Sequence, residues 1–198
     1  MSLSTPESVQ KLQAALHDKA KKSPDFRVYA LSDKVYRKDV LTFAYACCKA
    51  NGGAAGVDDQ TFEDIETYGA ERWLDELTQE LKSRTHRPLP VRRVYIPKPG
   101  GQQRPLGVPA LEDKLVQRVA VEALNNIYET DFLGFSYGFR PKRSQHKALD
   151  ALWCGLHERC VNWVPDLDVR SFFDRLSHEW LVRFLQHRIA DWRVVGLI

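Results

Sequence analysis

Prolines and glycines cluster near the middle of this chain, and they limit how it can fold more than any other feature does. Pro88 and Pro90 end the helix before them, because proline has no backbone N–H and clashes with the preceding turn. Residues 91–97 (VRRVYIP) then alternate like a strand, and residues 98–103 (KPGGQQ) have the composition of a hairpin tip. With a return strand over residues 104–108, the sequence predicts a rigid β-hairpin.

Charged residues are segregated along the sequence, although the net charge is only +3. Residues 53–80 carry nine acids and one base, Arg72, whereas residues 84–111 carry six bases and no acid. A basic stretch beside proline and glycine is a candidate surface for binding phosphates. The alternative is a solvated loop whose cations pair with the acidic block just before it.

Composition excludes several classes of protein. Of the 198 residues, 43% are hydrophobic and 28% are charged, which is unlike a disordered or fibrous chain. No run of about 18 apolar residues occurs, and the polar N-terminus resembles no signal peptide, so we expect a cytoplasmic protein without a membrane partner. The cysteines, Cys47-Cys48 and Cys154-Cys160, lack zinc-site spacing and are expected to be reduced thiols.

Apolar periodicity predicts most of the remaining elements. Helices are predicted over residues 6–22, 36–50, 111–128 and 145–157, and around the apolar face formed by Trp73, Leu74, Leu77 and Leu81. Residues 162–169 read as a buried strand, and residues 172–185 read as a loop followed by an amphipathic helix.

The hairpin carries three regularly spaced cations. Arg92, Lys98 and Arg104 recur every six residues, so the alternation of a strand places the in-strand positions on one face. Three converging cations would suit a triphosphate or a nucleic-acid backbone. The alternative is a basic hairpin that merely keeps the protein soluble.

Two carboxylates occur in the predicted strand. Asp166 and Asp168 would project from one face of an otherwise apolar segment, where ionised carboxylates need a partner. Magnesium is the usual partner in phosphoryl chemistry. Helix capping or salt bridging is the alternative.

Taken together, these segments resemble group II intron reverse transcriptases. Residues 91–132 (VRRVYIPKPGGQQRPLGVPALEDKLVQRVAVEALNNIYETDF) resemble the family's first conserved block. SYGFRPKRSQHKAL resembles the second block, WVPDLDVRSFFDRLSHEWL the third, and GAAGVDDQTFEDI the N-terminal extension block. Two positions depart from the pattern, because Asp59 and Lys142 stand where the family usually has glycine.

The resemblance implies an α+β fold: the fingers and partial palm of a right-hand polymerase, with helices packed on a small antiparallel sheet. The implied segments are an N-terminal helical segment at 1–34, the extension block at 35–86, fingers at 87–160 and the start of the palm at 161–198.

The resemblance also implies roles for individual residues. Arg92, Lys98 and Arg104 would contact the phosphates of the incoming nucleotide. Asp168, with the Val169 carbonyl, would bind catalytic magnesium, and Phe173 would exclude a ribose 2′-OH and so favour deoxynucleotides. The remaining assignments are support from Asp166 and Asp174, RNA contact by Arg93, and either template contact or bracing of the fingers by Arg140 and Arg143.

One expected motif does not occur in this sequence. Two-metal phosphoryl transfer needs further carboxylates, which the family supplies from a Tyr-Ala-Asp-Asp hairpin after the third block. No Tyr-x-Asp-Asp is present here. We therefore expect an N-terminal fragment of an RNA-directed DNA polymerase that binds intron or template RNA, primer and dNTP but does not polymerise alone.

Two other functions fit the same residues. One is a non-enzymatic RNA-binding module that assists intron splicing, and the other is a reverse transcriptase associated with CRISPR or phage defence. Because the predicted palm strand would have an open edge, we also expect a homodimer, an exchanged element or marginal stability.

Overall fold

The computed structural model describes residues 3–159 and 161–198, in which helices alternate with one hairpin. The helices are α1 (Glu7–Lys22), α2 (Ser32–Val35), α3 (Lys38–Ala50), α4 (Phe62–Tyr68), α5 (Ala70–Ser83), α6 (Leu111–Tyr128), α7 (Gln145–Glu158), α8 (His178–Arg188) and α9 (Trp192–Val195). The strands are β1 (Arg92–Pro97) and β2 (Gln103–Val108), and Phe173–Arg175 forms a 3-10 turn.

Helix α6 is the centre of the core. Its residues Leu115, Val119 and Ile127 are fully buried, and α1 and α3 pack against it. Two acids in its first turn, Glu112 and Asp113, favour the start of a helix because they oppose the helix dipole. The helices predicted from periodicity are confirmed. The apolar faces of α1, α3, α5 and α6 are buried together in one core, whereas α7 forms without burying any of its residues.

The sequence patterns did not predict the short helices α2 and α4. Helix α4 begins with a capping box, in which the Thr61 side chain accepts a hydrogen bond from the Asp64 backbone and the Asp64 carboxylate accepts one from the Thr61 backbone. The helix was not predicted because this capping box directly follows a stretch whose glycines and aspartates favour turns.

Residues near both ends of the chain share the core. Val28 and Ile189 form a parallel bridge, and the buried Asp191 carboxylate accepts hydrogen bonds from the backbone of Leu31 and Ser32. Arg188 is also buried, and its Nε lies 3.2 Å from Asp131 Oδ2. The core is therefore continuous across the four predicted segments, whose boundaries remain a prediction.

The small antiparallel sheet is present, but the helices do not pack on it. It has two strands, β1 and β2, and most residues on both of its faces are exposed. The expected packing of helices on the sheet is thus wrong for the described residues, because the core forms among the helices alone.

The buried strand predicted over residues 162–169 is also wrong. All eight residues are exposed and lie in irregular structure. A strand needs a neighbour to satisfy its backbone hydrogen bonds, and no other described strand lies beside this segment. The predicted dimer through an open palm edge therefore has no strand to form it among these residues.

No described helix is both long enough and apolar enough to cross a bilayer. Cys47, Cys48 and Cys154 are free thiols, and burial raises the pKa of both Cys47 and Cys48. The fourth cysteine, Cys160, lies outside the described residues.

Candidate nucleic-acid interface

The β-hairpin carries cations on a frame whose register is fixed. Arg92 pairs with Val108 at the base, and Arg104 pairs with Ile96 near the tip. Paired residues share a face in an antiparallel ladder, so both arginines project from the same face, as predicted. The second pair lies four positions further along the strand than the first, which places the arginines about 13 Å apart along the strand.

Arg92 is held by the loop between α3 and α4. Its Nη1 donates to Asp59 Oδ1 at 2.6 Å, and its Nη2 donates to the Ala55 carbonyl at 2.5 Å. The positive charge of Arg92 is therefore paired with the Asp59 carboxylate at the base of the hairpin. The three cations do not converge on one point as expected, because Arg92 turns to this loop while Lys98 lies at the tip.

The other hairpin cations have no acidic partner within the described residues. Arg93, Lys98 and Arg104 are exposed and make no ion pair there. The acidic block pairs mostly with other bases, as in Glu66 with Lys49 and Asp75 with Lys38. The alternative in which the acidic block neutralises the basic stretch thus holds for Arg92 but not for the tip.

Apolar side chains lie between the two arginines on the shared face. Val94, Ile96 and Leu106 are 42%, 45% and 36% exposed, although each is a residue that normally prefers burial. Tyr95 is exposed on the opposite face. Apolar and aromatic side chains flanked by cations are typical of surfaces that contact bases and phosphates together.

Two more bases lie on the connector between α5 and β1. The Arg84 guanidinium stacks over the Trp192 ring at 4.4 Å, beside a cavity of about 170 Å³ that Arg87 and Arg193 also line. Arg87 Nη1 donates to the carbonyls of Arg84 and His86. These contacts hold positive charge on the connector, beside α9.

The predicted palm residues are exposed and are not assembled into a site. Asp168 and Val169 lie in the irregular segment, and Phe173 is 80% exposed, with its ring 5.4 Å from that of Phe172. Asp166 and Asp174 are exposed as well. In the described part of the chain, none of these side chains forms an ion pair with a hairpin cation.

The residues around Asp168 do not by themselves fit a two-metal centre. Such a centre needs several carboxylates within reach of the same ions. Among the described residues, the group of His and acidic side chains close enough to share an ion does not include Asp166, Asp168 or Asp174. A complete catalytic centre would need carboxylates in addition to these.

Arg140 braces the loop before α7. Its guanidinium pairs with Glu129 at 2.8 Å and donates to the carbonyls of Leu133 and Ser136. The side chain is 5% exposed, so these contacts favour the bracing role over RNA contact. Arg143 stacks at 5.1 Å over the Tyr137 ring.

A family model described as reverse transcriptase (RNA-dependent DNA polymerase) matches residues 96–195. The match covers about half of the chain and includes most of the hairpin, the long α6, and α7 and α8. The chain therefore belongs to the reverse transcriptase family, which confirms the prediction from the sequence blocks.

Three relatives are similar over most of this chain. Protein YkfC of Escherichia coli is 36% identical over 96% of the chain and 51% of its own length. The group II intron-encoded protein LtrA of Lactococcus lactis is 34% identical over 82% of the chain and 26% of its own length. An uncharacterized 91 kDa protein in the cob intron of Schizosaccharomyces pombe is 32% identical over 92% of the chain and 23% of its own length. The chain is thus related to intron-encoded reverse transcriptases and spans about half or less of these relatives.

Four acidic and histidine residues were missed by the sequence reasoning. Glu80, His86, Glu112 and Asp113 lie together where α5, the connector and α6 meet. Their spacing matches no metal-binding or catalytic motif, since 26 residues separate His86 from Glu112. Only the packing of α6 beside the connector brings them together.

Proposed function

We propose that this chain supplies the RNA- and nucleotide-contacting part of a group II intron-type reverse transcriptase, whose complete form copies RNA into DNA. One observation carries the proposal: an exposed hairpin whose arginines flank uncovered apolar side chains, in a chain of this family. Apolar side chains grouped on an exposed face are typical of surfaces that bind a ligand.

Individual residues have different roles in this proposal. Lys98 and Arg104 contact phosphates, because both are exposed cations near the hairpin tip without an acidic partner in the described part of the chain. Arg92 contributes mainly by fixing the base through Asp59. Phe173 packs against the sugar of a deoxynucleotide, since its exposed ring is free to do so.

Reverse transcriptases use divalent metal ions, and the proposed ion is magnesium. Asp168 and the Val169 carbonyl would supply two of its oxygen ligands in the complete protein, with further carboxylates from elsewhere. Because the described residues lack those carboxylates near Asp168, we expect no templated dNTP incorporation by the 198-residue chain. Robust magnesium-dependent primer extension by the purified chain would contradict this expectation.

RNA binding by the chain is the direct test of the interface. Arg93→Ala and Arg104→Ala each remove an exposed cation, from opposite faces of the hairpin, and each should weaken binding to RNA. Each should also lower the dependence of log affinity on log salt by about 0.7 for every phosphate of a single strand that the variant no longer neutralises. The measurement is fluorescence anisotropy with labelled RNA at several salt concentrations. Arg183→Ala is the matched control, because Arg183 is exposed on α8 and pairs with Glu179 there.

The outcomes distinguish the candidate functions. RNA affinity that falls with Arg93→Ala and Arg104→Ala but not with Arg183→Ala supports the hairpin interface. Equal affinity for all three variants and the parent would reject it. Binding without primer extension would indicate that this chain alone serves as an RNA-binding module.

A further inference from the structure

His86 lies on the connector with its ring enclosed by acidic residues. The side chain is 6% exposed, and its Nδ1 is 3.0 Å from Glu112 Oε1 and 4.0 Å from Glu80 Oε2. The three residues each offer one ligand atom, and these atoms all lie within 4.8 Å of one another. Two carboxylate oxygens and one imidazole nitrogen are therefore close enough to share one ion.

The opposite edge of the imidazole faces a fourth residue, Asp113. His86 Nε2 is 3.3 Å from Asp113 Oδ1, and the Asp113 side chain is itself 6% exposed. The other oxygen of that carboxylate accepts a hydrogen bond from the Leu89 backbone N–H at 3.0 Å. A carboxylate that receives the second ring N–H fixes the tautomer and orientation of a metal-binding histidine.

The two glutamates repel each other when both are ionised. Burial raises the pKa of Glu112, and the nearby Glu80 raises it further, although His86 acts in the opposite direction. Glu80 is exposed on the last turn of α5, whereas Glu112 is half-buried on the first turn of α6. A cation between them would remove the repulsion and join the two helix ends.

We propose that Glu80, His86 and Glu112 form a site for a divalent transition-metal ion, with zinc as the best match. An imidazole nitrogen among the ligands favours zinc over magnesium or calcium, which prefer oxygen alone. Tetrahedral zinc at about 2.1 Å from each ligand needs ligand atoms roughly 3.4 Å apart. The observed separations from Nδ1, 3.0 and 4.0 Å, lie on either side of that value.

The position of the site indicates what the ion would do. Glu80 lies in the last turn of α5, His86 on the connector, and Glu112 in the first turn of α6. The connector leads directly into β1, so the ion would fix the direction in which the hairpin leaves the helical core. Three protein ligands also leave one coordination position for water, as at open zinc sites.

The test is titration of the complete, chelator-treated 198-residue chain with Zn²⁺ by isothermal titration calorimetry, and with Co²⁺ by visible absorption. We expect one equivalent to bind, with the strong d–d bands of tetrahedral cobalt. Glu80→Gln and His86→Ala should each abolish stoichiometric binding. Asp113→Asn should weaken it about 10- to 100-fold, because Asp113 orients the ring without binding the ion.

Two controls keep the result interpretable. Glu76→Gln removes another exposed carboxylate of α5 that pairs with Arg72, and it should leave the affinity unchanged. Glu80→Gln should retain the fold even if His86→Ala does not, because Glu80 is exposed; circular dichroism checks this. The absence of stoichiometric binding, binding unaffected by Glu80→Gln, or equal affinity for Mg²⁺ would each overturn the proposal and leave His86 as an ion-pairing residue.

Discussion

Asp59 and Lys142, the two positions at which the family resemblance predicted glycine, adopt left-handed backbone conformations. Asp59 has φ of 54° and Lys142 has φ of 60°. This conformation costs most residues roughly 1–2 kcal/mol, although aspartate tolerates it better than lysine. The Asp59 side chain forms an ion pair with Arg92. At Lys142 the contact does not depend on the side chain, because the backbone carbonyl accepts a hydrogen bond from Lys147.

Replacement of Lys142 by glycine should therefore stabilise the protein. We expect Lys142→Gly to raise the free energy of unfolding by about 0.5–1 kcal/mol, since relief of strain exceeds the added entropy of the unfolded chain. Urea denaturation measures the change. Lys142→Ala is the control, because alanine removes the charge but keeps the strain; an equal gain from alanine would contradict the explanation. Asp59→Gly should give no gain, since it removes the partner of Arg92.

At the scale of elements, the loop between α3 and α4 positions the hairpin. It binds Arg92 through Ala55 and Asp59, and the Ala54 carbonyl accepts a hydrogen bond from Lys114 on α6. Gly56 lies in the middle of this loop against the start of α6. A Cβ atom there would lie 2.6 Å from the backbone nitrogen of Ala110, so this close approach requires glycine.

Gly56→Ala should consequently displace the loop. We expect a loss of about 2 kcal/mol in the free energy of unfolding, in the range seen when a packed site is overfilled, together with weaker RNA binding. Gly53→Ala is a matched control in the same loop, because a Cβ there would meet only the flexible Lys114 side chain at 3.5 Å. Thermal and urea denaturation distinguish the two, and equal stability of both variants would be evidence against the close contact.

Sequence patterns predicted the helices and the hairpin because their signals are local. Periodicity defined α6, and the prolines and Gly100-Gly101 defined the hairpin tip. The prediction of a strand over residues 162–169 was wrong because a strand depends on a neighbouring strand, which local sequence does not reveal. The cluster around His86 was missed for a related reason: tertiary packing alone brings Glu112 to it.

At the scale of the whole molecule, Asp191 joins α9 to α2. Its carboxylate accepts backbone hydrogen bonds from Leu31 at 2.9 Å and Ser32 at 2.8 Å, and it pairs with Arg193 at 2.7 Å. Burial opposes ionisation of Asp191, but Arg193 and the two N–H groups outweigh burial and hold its pKa below the usual range. The ionised form therefore stabilises the folded protein.

Asp191→Asn should lower the free energy of unfolding by about 2 kcal/mol at neutral pH, as expected for lost hydrogen bonds to a charge. Because the folded-state pKa is depressed, the contribution of Asp191 is present above its unfolded pKa of about 3.9 and is lost as pH falls towards the lower folded value. The difference between parent and variant should thus shrink below about pH 4. Urea denaturation across pH measures this, with Glu179→Gln as an exposed control; a difference that is constant with pH would contradict the ionic explanation.

The contacts between α2 and the α8–α9 region also bear on how the protein is made. Leu31 and Asp191 are 160 residues apart in the sequence, and a ribosome adding about 5–20 residues per second needs on the order of 10–30 s to span that distance. Helices α1, α2, α3, α5 and α6 can assemble while translation continues, but the contacts of α2 with Asp191 and α9 form only afterwards. Synthesis therefore leaves an apolar surface of a nascent intermediate open to chaperones until α8 and α9 emerge.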